Sequence, residues 1–332
     1  MSAAAPRLAA ALLGAGYLGA RHAEKLASAR SFRLAAVYDR IPERAAEVAG
    51  LWGANAAATL EEALAQCDAA VVASSTGSHR NIVEAALRAG KPVLVEKPIT
   101  GRVEDAQALV DLAARAGLVL QAGHVERFNP ALRGLLGKVP APLFVEAHRL
   151  APLVPRNLDL NVVQDLMVHD IDLALAFVGE EPVAVDAAGV AVVTDRVDIA
   201  NARLRFPGGA VANLTVSRVS LERVRKFRMF LPGHYISADC AARVGEVYRL
   251  KEERGALLQE AMRSGGALDM QRALDHRREG PEGEDPLAAE HEAFARAVRG
   301  EPGEGVTGAQ ALRTLRVMVA VEEAIARQHG GL

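Results

Sequence analysis

The sequence Gly14-Ala15-Gly16-Tyr17-Leu18-Gly19 sets the architecture of the N-terminal part of this chain. An apolar run at residues 8–13, suited to a buried strand, precedes it, and apolar residues at helical spacing follow it. Strand, glycine turn and helix in this order are typical of a dinucleotide-binding unit. There the first glycine permits a tight turn, the second lets the backbone approach a pyrophosphate, and the third lets helix and strand pack closely.

An acidic residue stands where such a unit contacts a ribose. Asp39 ends the next apolar run, residues 34–38, and its carboxylate can accept hydrogen bonds from the adenosine ribose hydroxyls. This favours NAD over NADP. The neighbouring Arg40 leaves NADP open, because an arginine there can bind a 2′-phosphate. A tight turn that binds no nucleotide is the structural alternative, and Asp39 argues against it.

Composition excludes several classes of protein. The chain has 332 residues, half of them hydrophobic, which suits about two domains. A net charge of −2 and few aromatic residues argue against a nucleic-acid partner. No apolar stretch approaches the ~20 residues of a membrane helix, and the run at 8–13 is short for a secretion signal. Cys67 and Cys240 match no zinc or redox spacing, so we expect a cytoplasmic protein with no metal site.

The pattern of apolar runs predicts two domains. Residues 1–122 alternate short runs with helical patterns, which predicts an α/β Rossmann domain with a doubly wound parallel sheet. Its strands are expected at 8–13, 34–38, 69–73, 92–95 and 118–121. Residues 123–332 predict an α+β domain with a large, mostly antiparallel open sheet and one long helix at 162–178. Its strands are expected at 142–150, 183–193, 197–206, 210–217 and 226–231.

The last part of the chain is rich in charge and glycine before it becomes helical again. Residues 251–285 are expected to be irregular. Asp285-Pro286 and Thr307-Gly308-Ala309-Gln310 are capping signals for two closing helices, which can pack back on the first domain.

Two groups of residues can carry chemistry. Lys97, in Val95-Glu96-Lys97-Pro98, follows an apolar run at the carboxyl edge of the predicted sheet, where doubly wound folds bind ligands. A solvated loop lysine is the alternative. Asp165, His169 and Asp172 share one face of the helix predicted at 162–178. A carboxylate beside a histidine can make it a general base near neutral pH. The alternative, a polar face in water, fits poorly with an otherwise apolar helix.

These residues resemble the Gfo/Idh/MocA oxidoreductases over nearly the whole chain. The likeness consists of the glycine turn, Asp39, Ser75-Thr76-Gly77-Ser78-His79, the run 89–98, Gly123 with Arg127, and Asp165 four residues before His169. It implies that hydride passes from a sugar or polyol hydroxyl to NAD, that Lys97 lies beside the nicotinamide and the substrate hydroxyl, that His169 accepts the proton and that Asp165 supports it. The cofactor contacts that it implies are Gly14, Gly16, Tyr17, Leu18, Gly19, Asp39, Arg40, Ser74, Ser75, Thr76, His79, Glu96 and Lys97.

A narrower likeness concerns the substrate. Residues 123–130 and 149–172 resemble the branch of the family that oxidises UDP-N-acetylglucosamine at C3 on the route to an amino-sugar precursor of lipid A. It implies substrate contacts from Lys97, Arg127, Asn129, Arg149, Arg156, Asp165 and His169, with arginines suited to the diphosphate. Two alternatives stay open: a dehydrogenase of a free polyol, inositol or sugar acid, and a non-catalytic NAD-binding regulator. By resemblance we expect a homodimer or homotetramer.

Overall fold

The computed structural model describes residues 6–154, 158, 160–251, 255–256, 259, 262–263, 273–280 and 285–330. The chain forms two compact units. One contains the described residues of Met1–Phe128 and Glu284–Arg316, and the other those of Asn129–Gly283 and Val317–Leu332. The first unit therefore extends past residue 122 and takes in a segment from the end of the chain.

The first unit is built on a seven-stranded sheet. Its strands are β1 (Leu8–Leu13), β2 (Phe32–Tyr38), β3 (Asn55–Ala56), β4 (Ala69–Val72), β5 (Val93–Glu96), β6 (Leu120–Gly123) and β15 (Val306–Thr307). They lie in the order β15-β6-β5-β4-β1-β2-β3, and all pairs are parallel except β15 with β6. Because helices cover a parallel sheet on both faces, strands such as β1 and β4 are almost wholly apolar and buried.

Helices alternate with these strands along the chain. They are α1 (Tyr17–Ser28), α2 (Pro42–Trp52), α3 (Leu60–Ala65), α4 (Thr76–Arg88) and α5 (Val103–Ala116), with a 3₁₀ turn at Val125–Phe128. A later helix, α8 (Pro286–Val298), belongs to the same unit. Its Phe294 is fully buried and stacks on Phe32 of β2 with ring centroids 5.9 Å apart.

The second unit is built on an eight-stranded sheet. Its strands are β7 (Phe144–Leu150), β8 (Ala184–Val190), β9 (Ile199–Arg205), β10 (Val211–Ser217), β11 (Val224–Leu231), β12 (His234–Asp239), β13 (Val244–Leu250) and β14 (Leu274–Glu279). Their order is β14-β13-β12-β11-β7-β10-β9-β8, and only β7 with β10 is parallel. One face packs on α7 (Val168–Val178), where Phe177 lies 5.8 Å from Phe227 between ring centroids. Two further helices are α6 (Pro130–Arg133) and α9 (Gly308–Gly330), and α9 belongs to this unit from Val317 onward.

The sequence predicted both sheet types, and these predictions are confirmed. The capping signals are confirmed too: Asp285 accepts a hydrogen bond from the Ala288 amide, and Thr307 and Gln310 cap each other.

The expectation that residues 251–285 are irregular is wrong for β14. Leu274–Glu279 is an edge strand whose side chains are mostly exposed, so it carries none of the apolar alternation that predicts a strand. The predicted helix at 162–178 also differs from the structure, because a π-helical turn at Val163–Met167 precedes α7.

Candidate functional site

Two glycines of the turn are required by packing. Gly14 has φ +109°, and a Cβ there would lie 2.6 Å from the Ser74 nitrogen. A Cβ on Gly19 would lie 2.0 Å from the Gly14 carbonyl oxygen. Both contacts are with backbone, so a side chain at either position requires the turn or its neighbour to move.

The middle glycine faces open space. Gly16 is the N-cap of α1, no side chain caps this helix, and a Cβ on Gly16 would meet no atom within 4 Å. Tyr17 and Leu18 follow in the first turn and are exposed, and this turn carries no acidic residue. An uncapped helix N-terminus attracts anions through its amides and its dipole. The turn therefore fits a pyrophosphate.

Asp39 is held in place by the glycine turn. Its Oδ2 accepts a hydrogen bond from the Ala15 amide at 2.7 Å, and its Oδ1 accepts one from the Ile41 amide at 2.9 Å. Each carboxylate oxygen can accept a further hydrogen bond, so the fixed side chain suits two ribose hydroxyls. Arg40 is exposed beside it. Together with the open Gly16 position, these residues fit NAD.

A buried histidine joins two loops at the same edge of the sheet. The ring nitrogens of His79 lie 3.0 Å from the Pro98 carbonyl oxygen and 3.1 Å from the Ser74 carbonyl oxygen. Burial lowers the pKa of His79. Ser75 and Thr76 stand at the start of α4, next to these contacts. The segment 74–79 is therefore tied to the loop that follows Lys97.

Glu96 and Lys97 end the neighbouring strand. Glu96 is 8% exposed, its Oε1 lies 2.9 Å from His22 Nε2, and its Oε2 accepts a hydrogen bond from the Lys97 amide at 3.2 Å. Lys97 is half-buried and precedes a cis peptide bond to Pro98. Because β1, β4 and β5 are neighbouring parallel strands, the residues that follow them meet at one edge. The glycine turn, Ser74 and Lys97 share that edge.

The predicted acid-base residues lie in the second unit. Asp165 is on the π-helical turn and His169 on the first turn of α7, and both are half-buried. Asp172, predicted on the same face, is 1% exposed. Single-turn π-helices are frequent at functional sites. Here the turn gives Asp165 and His169 a relative placement that the spacing of a regular α-helix does not describe.

Asn161 caps the π-helical turn, and this role was not predicted from the sequence. Its Oδ1 accepts hydrogen bonds from the Val163 and Gln164 amides at 2.9 and 3.0 Å. Its Nδ2 donates to Glu322 Oε1 at 2.6 Å, and Glu322 lies on α9. An asparagine directly before a helical pattern is a known cap signal, so Asn161 could have been found from the sequence. Glu322 carries no such local signal.

Two of the expected substrate residues, Arg149 and Asn129, form hydrogen bonds with other groups of the protein. Arg149 is 4% exposed and forms a bidentate ion pair with Asp170, with Nη2–Oδ1 at 2.8 Å and Nε–Oδ2 at 3.1 Å. Asn129 caps α6 at the Ala131 amide, and its Nδ2 donates to the Cys240 carbonyl at 2.9 Å. Arg127 is half-buried on the 3₁₀ turn. Arg156 lies outside the described residues.

The described residues show neither a metal-binding cluster nor a membrane-spanning helix. Within the part of the chain that the structure describes, no three His, Cys, Asp or Glu side chains gather closely enough to hold a metal ion. Of the helices formed by described residues, none is both long and apolar enough to cross a membrane.

Both parts of the chain match models of known protein families. Residues 8–124 match the model described as "Oxidoreductase family, NAD-binding Rossmann fold", and residues 153–231 match the "GFO/IDH/MocA C-terminal domain". The UDP-N-acetylglucosamine 3-dehydrogenase of Acidithiobacillus ferrooxidans is 40% identical over 95% of this chain and 98% of its own.

A solved structure of that enzyme has a TM-score of 0.85 and 36% identity, and the match covers 97% of this chain and 98% of that one. An inositol 2-dehydrogenase of Rhizobium meliloti is 33% identical over 55% of this chain and 58% of its own. With the glycine turn, Asp39 and Lys97 at one sheet edge, these matches show that the chain belongs to the Gfo/Idh/MocA family of oxidoreductases and carries its NAD-binding Rossmann domain.

Proposed function

We propose that this protein is an NAD-dependent dehydrogenase that oxidises the C3 hydroxyl of UDP-N-acetylglucosamine, on the route to an amino-sugar precursor of lipid A. One observation supports this substrate. The UDP-N-acetylglucosamine 3-dehydrogenase of Acidithiobacillus ferrooxidans is 40% identical to this chain over 95% of its length. Its solved structure superimposes on 97% of the chain. The inositol dehydrogenase match, over 55% of the chain, supports the same chemistry but not the same substrate.

His169 is proposed as the general base and Lys97 as its electrostatic partner. His169 takes the proton of the sugar hydroxyl, and Asp165 holds its imidazole in the required tautomer. The Lys97 ammonium stabilises the negative charge that develops on the hydroxyl oxygen. NAD, when bound, supplies the hydride acceptor. The half-burial of Lys97 and of His169 suits groups that must reach a substrate and yet be shielded from bulk water.

NAD itself is proposed over NADP because of Asp39. The carboxylate is fixed by the Ala15 and Ile41 amides, so a 2′-phosphate would meet a negative charge that cannot easily move away. Gly14, Gly16 and Gly19 form the pyrophosphate turn, and Ser74, Ser75, Thr76, His79 and Glu96 line or support the nicotinamide end.

Among the proposed substrate residues, two kinds of role are expected. Arg127 and Arg156 are proposed to bind the diphosphate. Arg149 and Asn129 are proposed to support the site from within, because Arg149 is paired with Asp170 and Asn129 caps α6.

The function is tested with the purified protein, NAD or NADP, and a panel of UDP-N-acetylglucosamine, inositols, free polyols and sugar acids. We expect NAD reduction with the nucleotide sugar and a lower kcat/KM with NADP. His169→Asn should lower kcat by about 10² to 10⁴ with little change in NAD affinity. Unchanged turnover would remove His169 from the mechanism.

The other outcomes identify the alternatives. Preference for an inositol or another free sugar would contradict the proposed substrate. Tight NAD binding without turnover of any sugar would instead support a non-catalytic regulator.

We also propose a cytoplasmic homodimer or homotetramer. The described cysteines Cys67 and Cys240 are both buried, which is compatible with a reducing compartment. For association we propose the sheet face opposite α7, which carries a row of rings from Phe144, Phe230, Tyr235, Tyr248 and His276 on five neighbouring strands. This row is called the aromatic row below.

A further inference from the structure

A chain of three buried polar side chains lies behind the strand end that carries Lys97. Glu96 Oε1 lies 2.9 Å from Nε2 of His22 on α1. His22 Nδ1 lies 2.9 Å from Nε2 of His291 on α8. Glu96, His22 and His291 are 8%, 1% and 0% exposed. A hydrogen-bonded chain therefore runs from α8 through α1 to the end of β5.

The carboxylate in this chain is kept ionised by its neighbours. Burial by itself would raise the pKa of Glu96, but the hydrogen bond and charge of His22, followed by the charge of Lys97, hold that pKa below its usual value. Its second oxygen accepts the Lys97 amide hydrogen at 3.2 Å. The Glu96 anion is thus fixed at both oxygens, and one of these bonds is to Lys97 itself.

His291 is a fully buried histidine that contacts His22 through one ring nitrogen. Burial, followed by the charges of His22 and Lys25, holds the pKa of His291 well below its usual value. A neutral ring has one N–H and one lone pair. Among the described residues, Nδ1 of His291 has no hydrogen-bond partner, while Nε2 faces His22. A buried polar atom left unsatisfied costs stability, so His291 bears that cost at Nδ1 while its Nε2 satisfies the buried Nδ1 of His22.

We propose that His22 and His291 are positioning residues for Lys97. His291 fixes the ring of His22, His22 holds Glu96 as an anion in one orientation, and Glu96 fixes the backbone and the electrostatic surroundings of Lys97. The kinetic part of this proposal rests on the role of Lys97 under the proposed function. We assign His22, His291 and Glu96 no contact with the substrate, so they act on the reaction only through Lys97.

Other titratable groups also act on Glu96 or on its partners. They are Lys97 on its own strand end, His79 on α4, and Lys25 on α1 near His291. All three stay in place in the variants below, so differences between the variants report on His22 and His291.

Two amide substitutions at His22 separate its two hydrogen bonds. His22→Gln can place its amide nitrogen where Nε2 contacts Glu96, whereas His22→Asn reaches only the position of Nδ1, which faces His291. We expect His22→Asn to lower kcat about 10- to 100-fold, with the NAD dissociation constant changed less than about threefold. His22→Gln should recover most of that loss. Equal turnover in two folded variants would overturn the proposal.

The same logic applies to His291 in case His22 variants do not fold. His291→Gln can keep an amide at the position of Nε2, and His291→Asn cannot. We expect kcat to be lower in His291→Asn than in His291→Gln. If both match the wild type, His291 does not position Lys97.

A second readout needs no substrate. In His22→Asn the Glu96 carboxyl loses the contact that opposes burial, so its pKa should rise above that of the unfolded chain. A raised carboxyl pKa stabilises the fold below about pH 4.5 and loses that contribution as pH rises. The gap between the Tm of the wild type and that of His22→Asn should therefore widen from pH 5 to pH 8, by roughly 5 °C. His22→Gln should follow the wild type.

A gap that does not change with pH would contradict the proposal. This result is independent of the sugar panel: a wild type that oxidises no sugar defeats the proposed function, while the Tm comparison still decides whether His22 holds Glu96 ionised.

Discussion

Gly16 and Gly19 are three residues apart in the sequence, yet their side-chain positions meet different surroundings. A methyl group on Gly19 would lie 2.0 Å from the Gly14 carbonyl, whereas a methyl on Gly16 would meet no protein atom within 4 Å. We therefore expect Gly19→Ala to cost about 1–3 kcal/mol or more of stability. Gly16→Ala should keep stability within about 1 kcal/mol, since alanine is only a poorer N-cap.

The substitution at Gly16, which should leave stability almost unchanged, should instead weaken the affinity for NAD. If the pyrophosphate uses the open space at Gly16, Gly16→Ala should weaken NAD binding about tenfold or more in calorimetry while its Tm stays near that of the wild type. Wild-type NAD affinity in Gly16→Ala would mean that the phosphates do not approach this position.

Single residues were predictable where the signal is local. The glycine turn, Asp39 and Lys97 each follow a predicted strand, so their common sheet edge could be predicted from strand order alone. His22 and His291 could not be paired in this way, because 269 residues separate them and neither belongs to a spacing motif. Arg149 had a clear charge signal, but the sequence did not reveal that Asp170 pairs with it.

At the level of elements, the π-helical turn with Asp165 depends on a contact with α9. Glu322 on α9 accepts the hydrogen bond from Asn161, the cap of that turn. Burial raises the pKa of Glu322, and the hydrogen bonds from Asn161 and Gln164 offset this only in part. A carboxyl with a raised pKa favours the fold most below about pH 4.5 and loses that contribution as pH rises through its folded-state pKa.

Glu322→Gln should therefore become more stable than the wild type as pH increases. Glutamine keeps an acceptor oxygen for Asn161 and has no charge to bury, so its Tm should exceed that of the wild type by about 2 °C at pH 8 and should not exceed it near pH 4.5. Glu323→Gln is the matched control, because Glu323 is exposed on the same helix. A pH-independent difference, or the same gain in the control, would contradict the role of burial.

Elements were predictable where burial imposes a period. The buried strands β1, β4 and β5 are apolar runs in the sequence. In β9, buried and exposed side chains alternate, which gives a period of two residues. The edge strand β14 has almost no buried side chains, so only its hydrogen bonds to β13 define it. The π-helical turn differs from an α-helix in its backbone bonding and not in its composition, and so the apolar pattern at 162–178 could not distinguish them.

At the level of the whole molecule, the aromatic row gives the proposed oligomer a specific test. The ring centroid of Tyr235 lies 5.0 Å from that of Phe230 and 5.5 Å from that of Tyr248, and all three side chains are partly exposed or exposed. Phe227 and Met229, next to Phe230 on β11, are buried on the other face, where Phe177 of α7 packs. The aromatic row therefore lies on the face away from α7, and contiguous exposed aromatic surface is typical of protein interfaces.

Tyr235→Glu should place a charge in the middle of this surface and dissociate the oligomer. We expect the wild type to sediment at twice or four times the 35.1 kDa of one chain, and the variant to shift toward 35.1 kDa. Leu51→Glu is the control, because Leu51 is 70% exposed on α2 of the other unit. NAD affinity should stay unchanged in both variants, since the glycine turn lies in the first unit. A wild type that sediments as a monomer would refute the oligomer, and a variant that keeps the wild-type mass would exclude this face as the interface.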